Sequence, residues 1–457
     1  MDVLALSRLQ FALTSAFHYL YPPLSIGLGL ILVMVEGLWL ATDNPVFHQM
    51  ARFWTRVFAL TFALGVATGL VLEFEFGTNW AAYARYVGDV FGSALAAEGI
   101  FAFFLESGFL AVLLFGWDKV SRRVHFLATC LVCFGAHFSA IWIVVANSWM
   151  QTPAGFHIVG QGLAARAEIT DFWRMVFNPS ALDRLLHVLG GAWLAGAFLV
   201  VSVSAWYLLR ERHEEFARKS LRLALAVGLA AAIFQLFSGH RSAVGVARHQ
   251  PAKLAAFEGL YQTAPQAGLA LWGWVDEGAE TVRGGLVLPG WLSWLAHGDA
   301  AMAVTGLREF KPEDRPPVNL TFQAYHAMVA LGLVMIAMAA LGFLQFRLRS
   351  VAVRRWVLRL LVLSVAGPQV ANQLGWLAAE VGRQPWLVYH QLRTPAGLSP
   401  VVSANTVLVS LLLFSAVYAL LFVLFLYLLN DKIRHGPDLD DLTPAGKLAW
   451  PGRATEA

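Results

Sequence analysis

Apolar residues in this chain arrive in blocks of about 20, each closed by a short polar or basic stretch, and a helix of that length crosses roughly 30 Å of hydrocarbon. Nine blocks can be placed, at about 9–40, 53–76, 92–116, 126–149, 184–209, 221–238, 320–346, 356–380 and 401–430. The pattern predicts an all-α integral membrane protein with nine transmembrane helices. The first block is long and carries Pro22-Pro23, which predicts a kink or an irregular turn. No internal repeat is visible, which weighs against an inverted-repeat transporter. Residues 239–319 are too polar and too rich in Gly and Pro to span, so they read as an ordered or partly mobile external domain. The chain therefore divides into helices one to six (1–238), an external segment (239–319), helices seven to nine (320–430) and a polar tail (431–457) carrying Pro437, Pro444 and Pro451.

Composition strengthens the membrane reading: 58% of the 457 residues are hydrophobic and 14% charged, against about 25% charged in ordinary soluble domains. The net charge of +4 does not point to nucleic acid, because the basic residues crowd into short loops between apolar blocks. Loops after spans one, three, five and seven hold Arg52 and Arg56; Lys119, Arg122 and Arg123; Arg210, Arg212, Arg218, Lys219 and Arg222; and Arg347, Arg349, Arg354, Arg355 and Arg359. The opposite loops hold Arg85, Arg166, Arg174, Arg184, Arg383 and Arg393. Fifteen against six places the first set in the cytoplasm, the N-terminus and segment 239–319 outside, and the tail inside. No basic n-region or small-residue cleavage site marks the first block, which reads as a retained span. Cys130 and Cys133, inside one apolar block, read as buried small hydrophobes, with a redox pair as the alternative.

Ionisable groups inside spans are costly and usually functional. They are His18, Glu73, Glu75, Glu98, Glu106, His137, His187, His326 and Glu380. His18, Glu98, His187, Met328 and Glu380 fall at similar depth, towards the outer face. A His and a Met fill both axial positions of a haem iron, which suits electron transfer, so His187 and Met328 fit a low-spin pair. A lone His or carboxylate leaves one iron face open, so His18 and Glu380 fit high-spin centres. A single Met in a span is ordinarily core packing, and spacing alone does not carry this assignment. Glu98 and Glu106 lie about 12 Å apart on one helix and within about 80° of one face. With Ser107 they form either a proton relay or a polar seam between helices.

The run Gly375-Trp376-Leu377-Ala378-Ala379-Glu380-Val381-Gly382-Arg383-Gln384-Pro385-Trp386 resembles the GWxxxExGRQPW signature of cytochrome bd-type quinol oxidase subunit I. Ser7-Arg8-Leu9-Gln10-Phe11-Ala12 before His18, Glu73-Phe74 with Phe76-Gly77-Thr78-Asn79-Trp80, Glu98-Gly99 with Phe103-Phe104-Leu105-Glu106-Ser107, and Trp142, Ala146-Asn147 and Trp149-Met150-Gln151 match as well. The resemblance covers essentially all nine spans. It implies that His18 and Glu380 ligate the two high-spin haems, that Glu98 lies close to that pair, and that His187 and Met328 ligate a low-spin haem b. Trp376 and Arg383 join the cofactor-binding set, and Glu106 and Ser107 a proton path. Lys253-Leu254-Ala255-Ala256-Phe257-Glu258 resembles the family's quinol-site stretch, with Lys253 and Glu258 as polar contacts, which makes the external segment the Q-loop. His326 stands where the family usually carries Arg, a departure that bears on the electrostatics of the low-spin haem. The Q-loop lacks the long insertion of some members, which resembles the short-loop, cyanide-insensitive branch, with haem d or a third haem b beside the high-spin haem b.

The resemblance implies a bacterial inner-membrane terminal oxidase. It oxidises quinol at the outer face, reduces O2 to water and builds proton motive force by a redox loop without pumping. The implied partners are a homologous haem-free subunit II and a small single-helix subunit. Rival redox classes fit less well: the histidines are not clustered as in haem–copper oxidases, His125 and His137 are unmatched by a second pair, and no Glu-x-x-His repeat occurs. A haem-free secondary transporter using intramembrane carboxylates is the alternative of another class.

Overall fold

The computed structural model describes residues 2–347 and 354–442. Among them, nine helical rods are long and apolar enough to cross a bilayer, one for each expected span. The first is split into α1 (Val3–His18) and α2 (Pro22–Thr42), with an irregular turn between them and Pro22 opening the second helix, where a missing N–H costs nothing. α3 (Pro45–Thr78) starts on a proline behind Asn44, whose side chain accepts from Val46 N–H at 3.0 Å. The third rod is α4 (Gly88–Ala97), a π turn at Glu98–Phe103 and α5 (Phe104–Phe115). α6 (Arg122–Gln151), α7 (Ala181–Leu209) and α8 (Glu214–His249) follow. A short helix, α9 (Pro251–Glu258), precedes α10 (Val318–Arg347). The eighth rod breaks between α11 (Arg355–Leu363) and α12 (Ala366–Val381), because Pro368 has no N–H for the Ser364 carbonyl four residues back. α13 (Ala404–His435) is the ninth.

Helix ends overrun the apolar blocks. α8 continues to His249, so residues 239–249 are helical although too polar to count as span. Hydropathy marks the hydrocarbon core, whereas backbone hydrogen bonds decide where a helix stops. Arg349 and the tail beyond Leu442 lie outside the described residues.

α7 is buried along most of its length, packed on α2 and α8. It meets α2 backbone to backbone: a Cβ at Gly27 would lie 2.3 Å from the Ala192 carbonyl oxygen, and one at Gly196 would lie 2.4 Å from the Gly27 carbonyl carbon. Small residues at such a crossing let helices gain dispersion contacts that apolar side chains alone do not provide in lipid.

One end of the bundle, the loop face, carries the larger connections. Hairpins β1 (Phe156–Val159)/β2 (Arg166–Ile169) and β7 (Trp386–Val388)/β8 (Leu392–Arg393) lie there, as do α9 and a two-stranded ribbon. In the ribbon, β3 (Leu269–Ala270) pairs with β6 (Val287–Leu288), and β4 (Trp274–Asp276) with β5 (Thr281–Arg283), in one shared register. Gly273 and Gly284, both at positive φ, interrupt it. The opposite face has short turns and one strap, residues 433–442. Tyr207 Oη donates to the Ile433 carbonyl, Arg212 to that of Arg434 and Gln49 to that of Asp438. Asp441 then pairs with Arg52 and Arg56, each at 2.9 Å.

Candidate functional site

Two histidines share one local arrangement. His18 closes α1, and its Nδ1 lies 3.0 Å from Thr68 Oγ1 on α3. That hydroxyl already donates to the Leu64 carbonyl at 2.7 Å, so it accepts here, and the proton sits on Nδ1. His187 on α7 repeats this with Ser238 on α8: 3.0 Å from Nδ1, the hydroxyl donating in turn to Gln235 Oε1 at 3.0 Å. Each hydroxyl residue is followed by a glycine. A Cβ at Gly69 would lie 3.2 Å from the His18 ring, and one at Gly239 would lie 3.3 Å from the His187 ring. In both, Nε2 keeps its lone pair and has no hydrogen-bond partner among the described residues, which is how a metal-ligating imidazole is oriented.

The other span histidines differ. His137 contacts the Cys133 carbonyl through Nδ1 and accepts from Trp193 Nε1 through Nε2. His125 is bound to Glu36 and to the Leu113 carbonyl. His326 contacts the Phe322 and Ala270 carbonyls. All three rings are fully engaged. Cys130 and Cys133 are unbonded to each other. Glu36, inside the first span, was absent from the sequence-derived set of intramembrane charges; it is fully buried and also accepts from Thr129 at 2.5 Å.

α12 gathers the remaining groups. Gly375 leaves room for Met328 of α10, whose sulfur would lie 3.0 Å from a Cβ there. Trp376 meets Tyr19, the residue after His18, edge to face at 5.5 Å. Glu380 accepts from Asn147 and Gln151, one turn apart on α6, at 3.1 Å each, and from Arg383. Arg184 donates to Asn147, and Lys253 Nζ to Gln151 Oε1 at 2.5 Å. Three cationic residues thus surround one carboxylate. Arg184 Nε and Arg383 Nη1 are buried with no hydrogen-bond partner among the described residues. Burial and the two guanidinium groups hold the Lys253 ammonium well below its usual pKa. A buried excess of positive charge with spare N–H donors is what a porphyrin's propionates require, and this donor set fits the haem groups that the resemblance implies.

Glu98 opens the π turn and accepts from Ser139 of α6 at 2.7 Å. Glu106 backs onto Gly135 of the same helix, where a Cβ would lie 2.9 Å from its own. The uniform-helix spacing of these two carboxylates does not hold, since a π turn takes more residues per revolution; both face α6. Ser107 donates to the Phe103 carbonyl within its own helix. Glu75 accepts from Thr14 at 2.7 Å, whereas Glu73 is exposed.

Lys253 and Glu258 are both buried on α9 but turn to different neighbours. Lys253 joins the Glu380 network, while Glu258 faces the ribbon and accepts from Ala270 N–H, its pKa raised to about 8 by burial. Asn147, Gln151, Arg184, Thr68 and Ser238 were not singled out as ligand-supporting residues in the sequence. Only the repeated hydroxyl–glycine pairs, Thr68-Gly69 and Ser238-Gly239, left a trace there.

The chain matches the family model described as cytochrome bd terminal oxidase subunit I over residues 6–437. It is 38% identical to cytochrome bd ubiquinol oxidase subunit 1 of Bacillus subtilis (strain 168), covering 96% of each chain. Identity is 33% to cytochrome bd-II ubiquinol oxidase subunit 1 of Escherichia coli (strain K12), over 95% of this chain and 97% of that one. Its fold is similar to a chain of the bd oxidase structure from Geobacillus thermodenitrificans, with a TM-score of 0.89 and 30% identity, over 95% of this chain and 99% of the other.

Proposed function

This chain belongs to the cytochrome bd terminal oxidase subunit I family, quinol-oxidising enzymes of bacterial membranes, and from that premise we propose a role for each group at the loop face. His187 and Met328 hold a low-spin haem b; His18 and Glu380 hold a high-spin pair, one haem b and one haem d or third haem b. Bound haem supplies one-electron transfer and an iron site for oxygen reduction. Arg184, Arg383 and Trp376 seat the porphyrins and compensate their carboxylates. Lys253 and Glu258 take the quinol head group, and the depressed basicity of Lys253 eases proton exchange with it. Glu106 and then Glu98, both against α6, carry protons towards the cluster from the opposite face, with Ser107 beside Glu106.

The uneven distribution of basic residues, fifteen against six, supports an outward-facing loop face. Quinol protons then leave outside while the protons for water come from the cytoplasm, so turnover charges the membrane by a redox loop without a pump. A homologous haem-free subunit II and a small single-helix subunit complete the enzyme. They cover apolar outer surface such as Ile100, Phe101, Phe104 and Phe115.

The observation that carries this reading is the matched pair of histidines, each oriented by a hydroxyl, with no partner for Nε2 among the described residues. Reduced-minus-oxidised spectra and pyridine haemochrome of the purified complex test it. His187→Ala and Met328→Ala each remove the low-spin signal; His18→Ala and Glu380→Gln remove high-spin haem. A low-spin band unchanged in His187→Ala overturns the assignment.

A further inference from the structure

The ribbon is pegged to α10 by three side chains on one helical face, Asn319, Gln323 and His326, spaced i, i+4 and i+7. Asn319 Oδ1 accepts from Val275 N–H at 3.2 Å, Gln323 Nε2 donates to the Gly273 carbonyl at 2.8 Å, and His326 Nε2 meets the Ala270 carbonyl at 2.7 Å. The His326 ring is held from behind: it stacks on Phe322 with centroids 3.9 Å apart, and its Nδ1 lies 2.9 Å from the Phe322 carbonyl. Two of the pegs, Gln323 and His326, help line a cavity of about 490 Å³ that Trp272, Trp274 and Phe322 also line.

Ala270 is free to take these bonds because of the ribbon's register. Leu271 N–H donates across to the Leu286 carbonyl at 2.9 Å. In an antiparallel pair, hydrogen-bonded positions alternate with positions whose polar groups point away, so Ala270, opposite Val287, turns its N–H and C=O outward. Glu258 accepts from that N–H, and His326 holds that C=O. One residue therefore joins the Glu258 carboxyl to the helix that carries Met328.

From this geometry we infer that His326 is a positioning residue for quinol oxidation, fixing Ala270 and through it Glu258 relative to α10. The inference rests on the proposed quinol contact at Glu258. Its mechanism is steric and hydrogen-bonded: with the peg gone, Ala270 shifts, and the Glu258 carboxyl loses its fixed direction although its own side chain is untouched.

The test uses the purified enzyme complex and tetramethyl-benzoquinol as reductant. His326→Phe keeps the ring stack and removes the peg; KM rises about tenfold, as expected for one lost buried hydrogen bond, while kcat stays within about twofold. Glu258→Gln raises KM comparably, and the double variant adds nothing further, because both act on one contact. His326→Gln, whose amide reaches as far as the ring Nε2, restores KM to within about threefold; His326→Asn, too short, does not. An unchanged KM in His326→Phe alongside a raised KM in Glu258→Gln overturns the positioning role and leaves the quinol contact standing. An unchanged KM in both variants overturns the quinol contact itself. Where His326→Phe fails to assemble, the Gln and Asn variants decide: equal KM values for the two overturn the inference.

Discussion

Hydrogen bonds distinguish histidines that the sequence lists as equals. His18 and His187 were legible as candidate ligands by depth, whereas His137 was legible only as an ionisable group inside a span. What separates them is the hydroxyl behind each Nδ1, and those hydroxyls come from other helices, so the pairs Thr68-Gly69 and Ser238-Gly239 are their sole trace in the sequence. Thr68→Val and Ser238→Ala each remove that support without changing shape much, and each lowers haem occupancy at its own histidine by about 10–100-fold. Pyridine haemochrome at limiting haem measures it, with the other site as internal control. Glu258 gives a pH signature. Its folded pKa, raised to about 8 by burial, lies above the unfolded value, so its contribution to stability is full below about 4.5, declines as pH rises towards 8 and is gone above that. Thermal unfolding in detergent at pH 6 and pH 9 should differ more in the native protein than in Glu258→Gln; equal differences contradict the burial argument.

Spans are the most legible elements, because crossing hydrocarbon needs a fixed length of apolar helix whatever the neighbours do. The turn before Pro22-Pro23 was readable for the same local reason. The break at Ser364–Val365 follows from Pro368, yet a proline within a span does not reveal how far the helix yields. The π turn at Glu98 has no residue signature at all, since it is a shift of hydrogen bonds. It holds one residue more than an α turn. Deleting Ile100 should regularise the rod with Glu106 still against Gly135, because the under-wound turn had absorbed the extra residue; the protein still assembles, and a fall in quinol oxidase activity reports the lost placement of Glu98. The Gly27–Gly196 crossing is tighter still. Gly196→Leu forces α2 and α7 apart at a cost of at least about 1–3 kcal/mol, read as a lower Tm of the purified complex.

Across the whole molecule, the fold class was legible, but the spatial grouping of the candidate residues was not. Lys253 and Glu258 looked like one pair of contacts, being five residues apart in one helix. In space Lys253 belongs with Glu380 and Gln151, and Glu258 with the ribbon, because half a helical turn separates their directions. Likewise Arg184, Asn147 and Glu380 come from three rods whose convergence depends on every intervening packing contact. On the opposite face, Asp441→Asn weakens both arginine pairs of the strap and costs about 1–3 kcal/mol, detectable as faster proteolysis near the C-terminal end.

That strap also carries an instruction about timing. A ribosome delivers residues 433–442 long after α3, yet Arg56 and Gln49 find their partners there, as does Arg52 beside its longer pairing with Asp118. Until that segment emerges, Arg56 and Gln49 stand unfastened, and the strap acts as a latch that closes only once α13 has been inserted.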